Sequence, residues 1–325
     1  MNQNIMPKLL KLYKNLLWHV GDPRKAGRNS CCVKNKEYTR GTLVYNYLSL
    51  TRLNRPVGIS LLFLPCLFGI FLSLKKVDLN LSQTLWTIFL FGSGSIIMRS
   101  AGCVINDIFD QKFDSQVERT KNRPLAAEKI NRSKALILLA FLLICGLLIL
   151  LQFNKTTILS GFFALILAAT YPLMKRITYY PQIFLGLAFN FGILMSGFAI
   201  LEHIDFSFII LYFTAIIWTL IYDTIYAYQD IEDDLKIGVK STAIKFSNNP
   251  KRILLSLTLL MFFSISYLGF RESFELGFFI INFAALFLLA QKIANCDFKN
   301  PQNCLAVFKA NFWIGSLILI GIFLG

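Results

Sequence analysis

Long uncharged runs alternate with short polar ones along most of this chain. Val57 to Leu74, Gln83 to Ile105, Ala135 to Phe153 and Thr157 to Met174 carry almost no charge, and each approaches or reaches the ~20 residues a helix needs to cross a hydrocarbon core. The pattern repeats over Gln182 to Leu201, Phe206 to Ile225, Ile253 to Phe270, Phe274 to Gln291 and Ala306 to Gly325. This spacing predicts an all-α integral membrane protein, a bundle of about nine transmembrane helices forming one membrane domain over residues 46–325.

The first 45 residues break the pattern and read as a separate basic extension, with nine Lys and Arg against Asp22 and Glu37. Met6, Leu9, Leu10, Tyr13, Leu16, Leu17 and Val20 recur at helical spacing opposite Lys8, Lys11 and Lys14. That predicts a partly amphipathic helix, either lying on a membrane surface or serving as a mitochondrial presequence, followed by a polar stretch from Gly21 to Lys36.

Composition agrees with the runs: 55% of residues are hydrophobic and 16% charged, and the mean hydropathy is +0.57, too apolar for an ordinary soluble enzyme of 325 residues. A net charge of +15 would point to nucleic acid if it were spread or patched over a soluble surface, but here it follows the spans. Of 33 Lys and Arg, 28 fall on the N-terminal side of the membrane and four (Lys75, Lys76, Lys155, Arg271) on the other, with Arg99 inside the second span. This is the positive-inside asymmetry, so the reading is a bilayer partner, no nucleic acid and a cytoplasmic N-terminus. Lys- and Asn-rich composition without an Arg- and Ser-rich start points to a bacterial inner membrane, with the mitochondrial inner membrane as the alternative.

Seven cysteines include no C-x-x-C pair, and the two histidines, His19 and His203, sit in the basic arm and an outside loop. Chemistry is therefore left to carboxylates, Lys, Arg and Tyr. Carboxylates gather at two span ends on the same side: Asn106, Asp107, Asp110 and Asp114 after the second span, and Asp223, Asp230 and Asp234 after the sixth. At ~100° per residue the first four oxygen-bearing side chains fall within roughly a 100° arc, and the second three within roughly 40°, with Glu232 opposite and Asp233 to one side.

Stacked like charges repel, so each stripe calls for a cation, and oxygen-only ligands suit Mg²⁺ completing its shell with substrate phosphate. Two stripes at one membrane face can clamp a lipid diphosphate between them. Arg119, Arg123 and Lys175 follow as candidate diphosphate contacts together with Lys236, whereas Lys121, Lys240 and Arg176 read as interface anchors. Tyr171, Tyr222 and Tyr226 lie close to the acidic motifs and are candidates to line a cavity, where ring faces stabilise a cation. A cation-coupled transporter is the alternative from another class, since acids at helix ends also mark ion pathways.

Four ordered segments carry a resemblance: Arg52-Leu-Asn-Arg55-Pro56-Val-Gly58; Asn106-Asp-Ile-Phe-Asp110-Gln-Lys-Phe-Asp114 with Arg119-Thr-Lys-Asn-Arg123-Pro124-Leu125; Tyr171-Pro-Leu-Met-Lys175-Arg176 with Pro181-Gln182; and Tyr222 through Asp230 and Asp234 to Thr242. From about Thr51 to the C-terminus the chain resembles the UbiA superfamily of membrane prenyltransferases, and most of all the branch that acts on 4-hydroxybenzoate in ubiquinone biosynthesis. The resemblance implies helices around a central cavity and two Mg²⁺ ions held by Asn106, Asp107, Asp110, Asp114, Asp223, Asp230 and Asp234. It implies a polyprenyl diphosphate donor whose leaving group departs, and attack by the 4-hydroxybenzoate ring carbon ortho to the hydroxyl. Arg52 or Arg55 would pair with the benzoate carboxylate. Haem or another quinone precursor is the alternative acceptor.

Overall fold

A computed structural model describes residues 43–325, so the predicted amphipathic helix of the extension lies outside the described residues. Among the described residues all regular structure is helical: α1 (Leu43–Leu50), α2 (Val57–Leu74), α3 (Leu81–Asp114), α4 (Arg132–Leu150), α5 (Lys155–Ile177), α6 (Pro181–Asn190), α7 (Gly192–Leu201), α8 (Phe206–Ala227), a 3₁₀ turn (Tyr228–Asp230), α9 (Ile231–Ile237), α10 (Thr242–Lys245), α11 (Pro250–Arg271), α12 (Leu276–Ala294) and α13 (Pro301–Leu324). Nine stretches among the described residues are long and apolar enough to cross a membrane, at the nine places where the runs predict them.

Local signals explain the starts. Asn80, Asn131 and Asn154 accept hydrogen bonds from backbone N–H groups three residues on and so cap α3, α4 and α5. Pro181, Pro250 and Pro301 stand at the first helical position of α6, α11 and α13, where a missing N–H costs nothing. The fifth run forms two helices, α6 and α7, with a break at Phe191.

α8 is apolar on every side because it is the axial element: 72% of its most apolar window is buried, against 11% for α4 and α5. It packs against α6, α7, α11, α13 and α2, and α2 in turn contacts α3, α7 and α13. Trp218, Tyr222, Phe68 and Phe208 are the bulkiest fully buried side chains, and the Trp218 indole N–H is satisfied by Asn311 Oδ1 at 2.9 Å. The outer faces of α3, α4, α5, α11 and α12 present Phe89, Phe141, Phe163, Phe263 and Phe283, more than half exposed, as a lipid-facing surface requires.

The second predicted run extends further than its apolar part. α3 is unbroken for 34 residues, ~51 Å long, and so overshoots a ~30 Å core and carries the first acidic motif beyond it. At the opposite end of the bundle Lys76 bridges Asp205 (2.8 Å) and Glu272 (2.6 Å), tying three loops together.

Candidate active site

The last two turns of α3 bury Asp107, Asp110 and Asp114 on one face, as the i, i+3, i+7 spacing requires. Each meets a cation from a different segment. Arg52, in a left-handed turn between α1 and α2, donates to both Asp107 oxygens at 2.9 Å. Arg123 reaches Asp107 at 3.2 Å and Asp114 at 2.7 Å, and Lys175, at the end of α5, pairs with Asp110.

The loop after α3 is held so that its arginines point inward. Thr120 Oγ1 donates to the Asp114 carbonyl at 2.9 Å and Gln111 donates to the Leu125 carbonyl at 3.1 Å, while Leu125 and Ile130 pack into a buried cluster with Leu50, Val104 and Ile108. Arg119 then crosses to the second motif. It grips Asp230 with two hydrogen bonds, one of them at 2.6 Å from Nε, donates to the Tyr226 hydroxyl at 3.0 Å, and lies 5.2 Å from that ring's centroid. Burial alone would lower the pKa of both guanidinium groups, but Asp230 and Tyr226 beside Arg119, and Asp107 and Asp114 beside Arg123, outweigh it and raise them. Both stay charged.

The second motif differs from its expected form. Asp223, Asp230 and Asp234 do not share one unbroken helix, because the 3₁₀ turn Tyr228–Asp230 separates α8 from α9. Three residues at the tighter 3₁₀ pitch advance the phase by roughly 60°, so the roughly 40° stripe drawn for a continuous α-helix widens to roughly 80°. Asp230 faces Arg119. α9 ends at Gly238, whose φ of +73° a residue with a Cβ adopts only at a cost. The chain then docks on the end of α5: the Lys240 N–H donates to the Lys175 carbonyl at 2.9 Å, Lys240 Nζ to Ile177 O at 3.1 Å, and the Thr242 N–H to Gln182 Oε1 at 3.1 Å.

The remaining candidates separate by placement. Arg176 donates to the Phe109 carbonyl, Lys240 caps α5 and Lys121 pairs with Glu118, so these three are structural. Lys236 stands at the rim beside Asp233 with 72% of its side chain exposed. Arg55 is exposed on the turn before α2. Tyr171, Tyr222 and Tyr226 gather inside the motif end, with Tyr222 buried against Trp218 and Phe308.

Arg99 is the residue that spacing arguments missed. It sits on α3 two turns before Asp107, within electrostatic range of Tyr171, Tyr222, Tyr226 and Asp223. Its guanidinium carbon lies 5.2 Å from the Phe189 ring centroid, its Nε is buried, and among the described residues no hydrogen bond engages it. Gly58 makes room for it, since a Cβ there would stand 2.7 Å from Nε. A charge inside an apolar run was the available signal, because such a charge is expensive and persists only for a reason.

Asp110 Oδ1 is also buried without a partner, and the Asp223 and Asp234 carboxylates have no side-chain hydrogen bond among the described residues. No three acidic, thiol or imidazole groups there converge closely enough to hold a metal by themselves, since Arg and Lys hold the aspartates separately. The result is a polar cluster of alternating anions and cations, with carboxylate oxygens on both motifs that lack hydrogen bonds among the described residues, beside aromatic rings and the Arg99 guanidinium.

Comparison with known proteins bears on this arrangement. Residues 62–317 match the UbiA prenyltransferase family. The mitochondrial 4-hydroxybenzoate polyprenyltransferase of Drosophila pseudoobscura pseudoobscura is 42% identical over 280 residues, 86% of this chain and 70% of that protein, and the human protein of the same name is 41% identical over 86% and 75%. The fold is similar to that of a UbiA homolog from Aeropyrum pernix K1 (TM-score 0.65, 21% identity, 81% of this chain and 96% of that one). It is also similar to a UbiA homolog from Archaeoglobus fulgidus bound to GPP and Mg²⁺ (TM-score 0.64, 18% identity, 86% and 98%).

Proposed function

The chain belongs to the UbiA prenyltransferase family, and we propose that it transfers a polyprenyl group from polyprenyl diphosphate to the carbon ortho to the hydroxyl of 4-hydroxybenzoate, releasing diphosphate. The observation that carries this reading is the joining of two acidic motifs by Arg119, with Arg123 and Lys175 at hand and carboxylate oxygens left unpaired. Relatives named for this reaction support the acceptor.

The donor set fits a hard divalent cation, since it offers only oxygens and one of them, Asp110 Oδ1, is buried and unpartnered. Asn106, Asp107, Asp110, Asp114, Asp223, Asp230 and Asp234 would hold Mg²⁺, which when bound neutralises the diphosphate and makes it a competent leaving group. Arg119, Arg123 and Lys175 are positioned to exchange their carboxylate partners for diphosphate oxygens, orienting the donor with forked and point-charge contacts, and Lys236 approaches from the rim. As the allylic C–O bond breaks, the electron pair leaves with the diphosphate. The ring faces of Tyr171, Tyr222 and Tyr226 exclude water and stabilise the cation left behind. The aromatic ring carbon forms the new bond and loses its proton.

Arg55 is exposed and Arg52 pairs with Asp107, whereas Arg99 has no hydrogen-bonded partner to give up, so the acceptor's carboxylate is assigned to Arg99. The positive-inside asymmetry supports a site facing the compartment of the N-terminus, and relatives named as mitochondrial proteins support a mitochondrial membrane over a bacterial inner membrane. The deciding experiment is mass spectrometry of the product from purified protein, polyprenyl diphosphate, Mg²⁺ and 4-hydroxybenzoate. A polyprenylated hydroxybenzoate is expected, and preferential prenylation of haem or another quinone precursor in competition would overturn the acceptor. Asp110→Asn and Asp230→Asn are each expected to abolish transfer in protein that remains folded in detergent.

A further inference from the structure

The ion pairs of the candidate metal ligands share one arrangement: the cation is the more exposed partner. Arg52 and Arg123 on Asp107, Arg123 on Asp114, Lys175 on Asp110 and Arg119 on Asp230 keep 17–31% of the cationic side chains accessible, against 2–15% for the carboxylates they hold. The cations also come from outside the elements that carry the aspartates. Arg52 lies in the turn between α1 and α2, Arg119 and Arg123 in the loop after α3, and Lys175 at the end of α5. An anion arriving from solvent therefore meets guanidinium and ammonium groups first. A metal ion arriving by itself meets positive charge.

Three of these four cations, Arg119, Arg123 and Lys175, are the residues assigned above to the diphosphate. Their donors are already in use. Arg123 Nη1 bridges Asp107 and Asp114 at 3.2 and 2.7 Å, and Arg119 spends Nε and Nη2 on Asp230 and Nη1 on the Tyr226 hydroxyl. The same N–H groups cannot serve a carboxylate and a phosphate oxygen at once, nor can the same carboxylate oxygens serve a cation and a metal.

We propose that Arg119, Arg123 and Lys175 cover the aspartates against metal, and that diphosphate uncovers them by drawing those cations to itself, so that metal and donor each strengthen the binding of the other. A metal ion binding alone pushes a cation aside and leaves it without a counter-ion beside new positive charge. A diphosphate binding alone strips the aspartates of their cations and lies against bare carboxylates. When both bind, each displaced cation gains a phosphate oxygen and each freed carboxylate gains the metal, so both penalties disappear together. The coupling is reciprocal by linkage. Asp223 and Asp234 stand outside the cover, since no ion pair among the described residues includes them, and an ion held there alone is common to parent and variants. This inference rests on reading the cluster as a diphosphate and Mg²⁺ site, and not on the identity of the acceptor.

The test keeps the two ligands apart. Full-length protein in detergent is titrated with Mn²⁺ as the metal probe, read by the electron spin resonance signal of the free ion, and separately with radiolabelled inorganic diphosphate in EDTA. Arg123→Gln and Arg119→Gln are expected to bind Mn²⁺ alone at least ~5-fold more tightly than the parent, the lower end of typical couplings, while Arg123→Lys, which keeps the charge, stays near the parent. Asp114→Asn is expected to bind diphosphate in EDTA at least ~5-fold more tightly, because Arg123 is released from its closer partner. Loss of a merely structural contact weakens these affinities or leaves them unchanged. Thermal melts show which variants are folded, and if Arg123→Gln is not, Arg119→Gln decides the metal arm. Tighter Mn²⁺ binding in a folded arginine variant together with tighter diphosphate binding in Asp114→Asn supports the proposal, and any other pattern overturns it. Neither arm involves prenyl transfer, so a protein that shows both shifts and prenylates a different aromatic acid overturns the acceptor alone.

Discussion

Arg99 carries a charge that no hydrogen bond engages among the described residues, with Asp223 within electrostatic range, and this has a measurable consequence. A charged hydrogen-bonded contact contributes about 1.5–3 kcal/mol, and each 1.4 kcal/mol is roughly tenfold in binding. Arg99→Ala is therefore expected to raise KM for the aromatic acid about 10- to 100-fold while leaving KM for the prenyl donor nearly unchanged. Arg55→Ala, on an exposed side chain, should leave both unchanged, and the reverse pattern would move the carboxylate seat to the turn before α2. Arg123 poses a stability question instead. It is the only cation hydrogen-bonded to Asp114 among the described residues, while Asp107 keeps Arg52. Removing one partner of a buried pair costs up to ~3–5 kcal/mol, and Arg123 keeps some solvent contact, so Arg123→Ala is expected near the lower end of that range. Mg²⁺ should raise the melting temperature of this variant more than that of the parent, because the metal replaces the missing positive charge. Thermal melts with and without Mg²⁺ check it.

At the level of elements, the two acidic motifs follow different rules. In α3 the helix runs unbroken to Asp114, so the angular spacing of Asp107, Asp110 and Asp114 holds and all three are buried on one face. In the second motif the 3₁₀ turn changes the phase, and Asp230, the last residue of that turn, meets Arg119. Gly238 completes that motif by letting α9 stop in a left-handed conformation, after which Lys240 and Thr242 dock on α5 and α6. Gly238→Ala is expected to cost about 1 kcal/mol or slightly more, since an L side chain resists this φ. Because the docked segment holds the end of α5 from which Lys175 projects, kcat should fall more than acceptor KM rises. Unchanged kcat with a lowered melting temperature would make the glycine purely structural.

Across the whole molecule, charge sits at both ends of an apolar bundle with different purposes. One end is a polar cluster whose described residues include a buried carboxylate oxygen and an arginine without hydrogen bonds; the other is a closed knot of Lys76, Asp205 and Glu272. Partial burial would lower the Lys76 pKa, but hydrogen bonds to Asp205 and Glu272 raise it. Partial burial would raise the Asp205 carboxyl, but Lys76 and the N–H groups of Ser207 and Phe208 hold it below its usual value. The Asp205 contribution is thus complete above its unfolded pKa of ~3.9 and is lost as pH falls through the lower folded value. The Lys76 contribution is complete below ~10.4 and is lost as pH rises through the higher folded value. Melting temperature should therefore keep the knot's contribution between about pH 4 and pH 10 and lose it outside that window. Lys76→Met should lower the plateau and flatten both limbs, and unchanged limbs would assign them to other groups.

Nine apolar runs and the positive-inside asymmetry were legible in the sequence, because each depends on residue chemistry accumulated along one segment. The first acidic face was legible for the same reason. The 3₁₀ turn before α9, the pairing of Arg52 with Asp107, the reach of Arg119 to Asp230 and the absence of a hydrogen bond to Arg99 among the described residues were not. Most of these depend on which segments the bundle brings together over separations such as the 55 residues between Arg52 and Asp107 or the 111 between Arg119 and Asp230. Helical angles describe where a side chain points on its own helix, and only packing decides what stands opposite it.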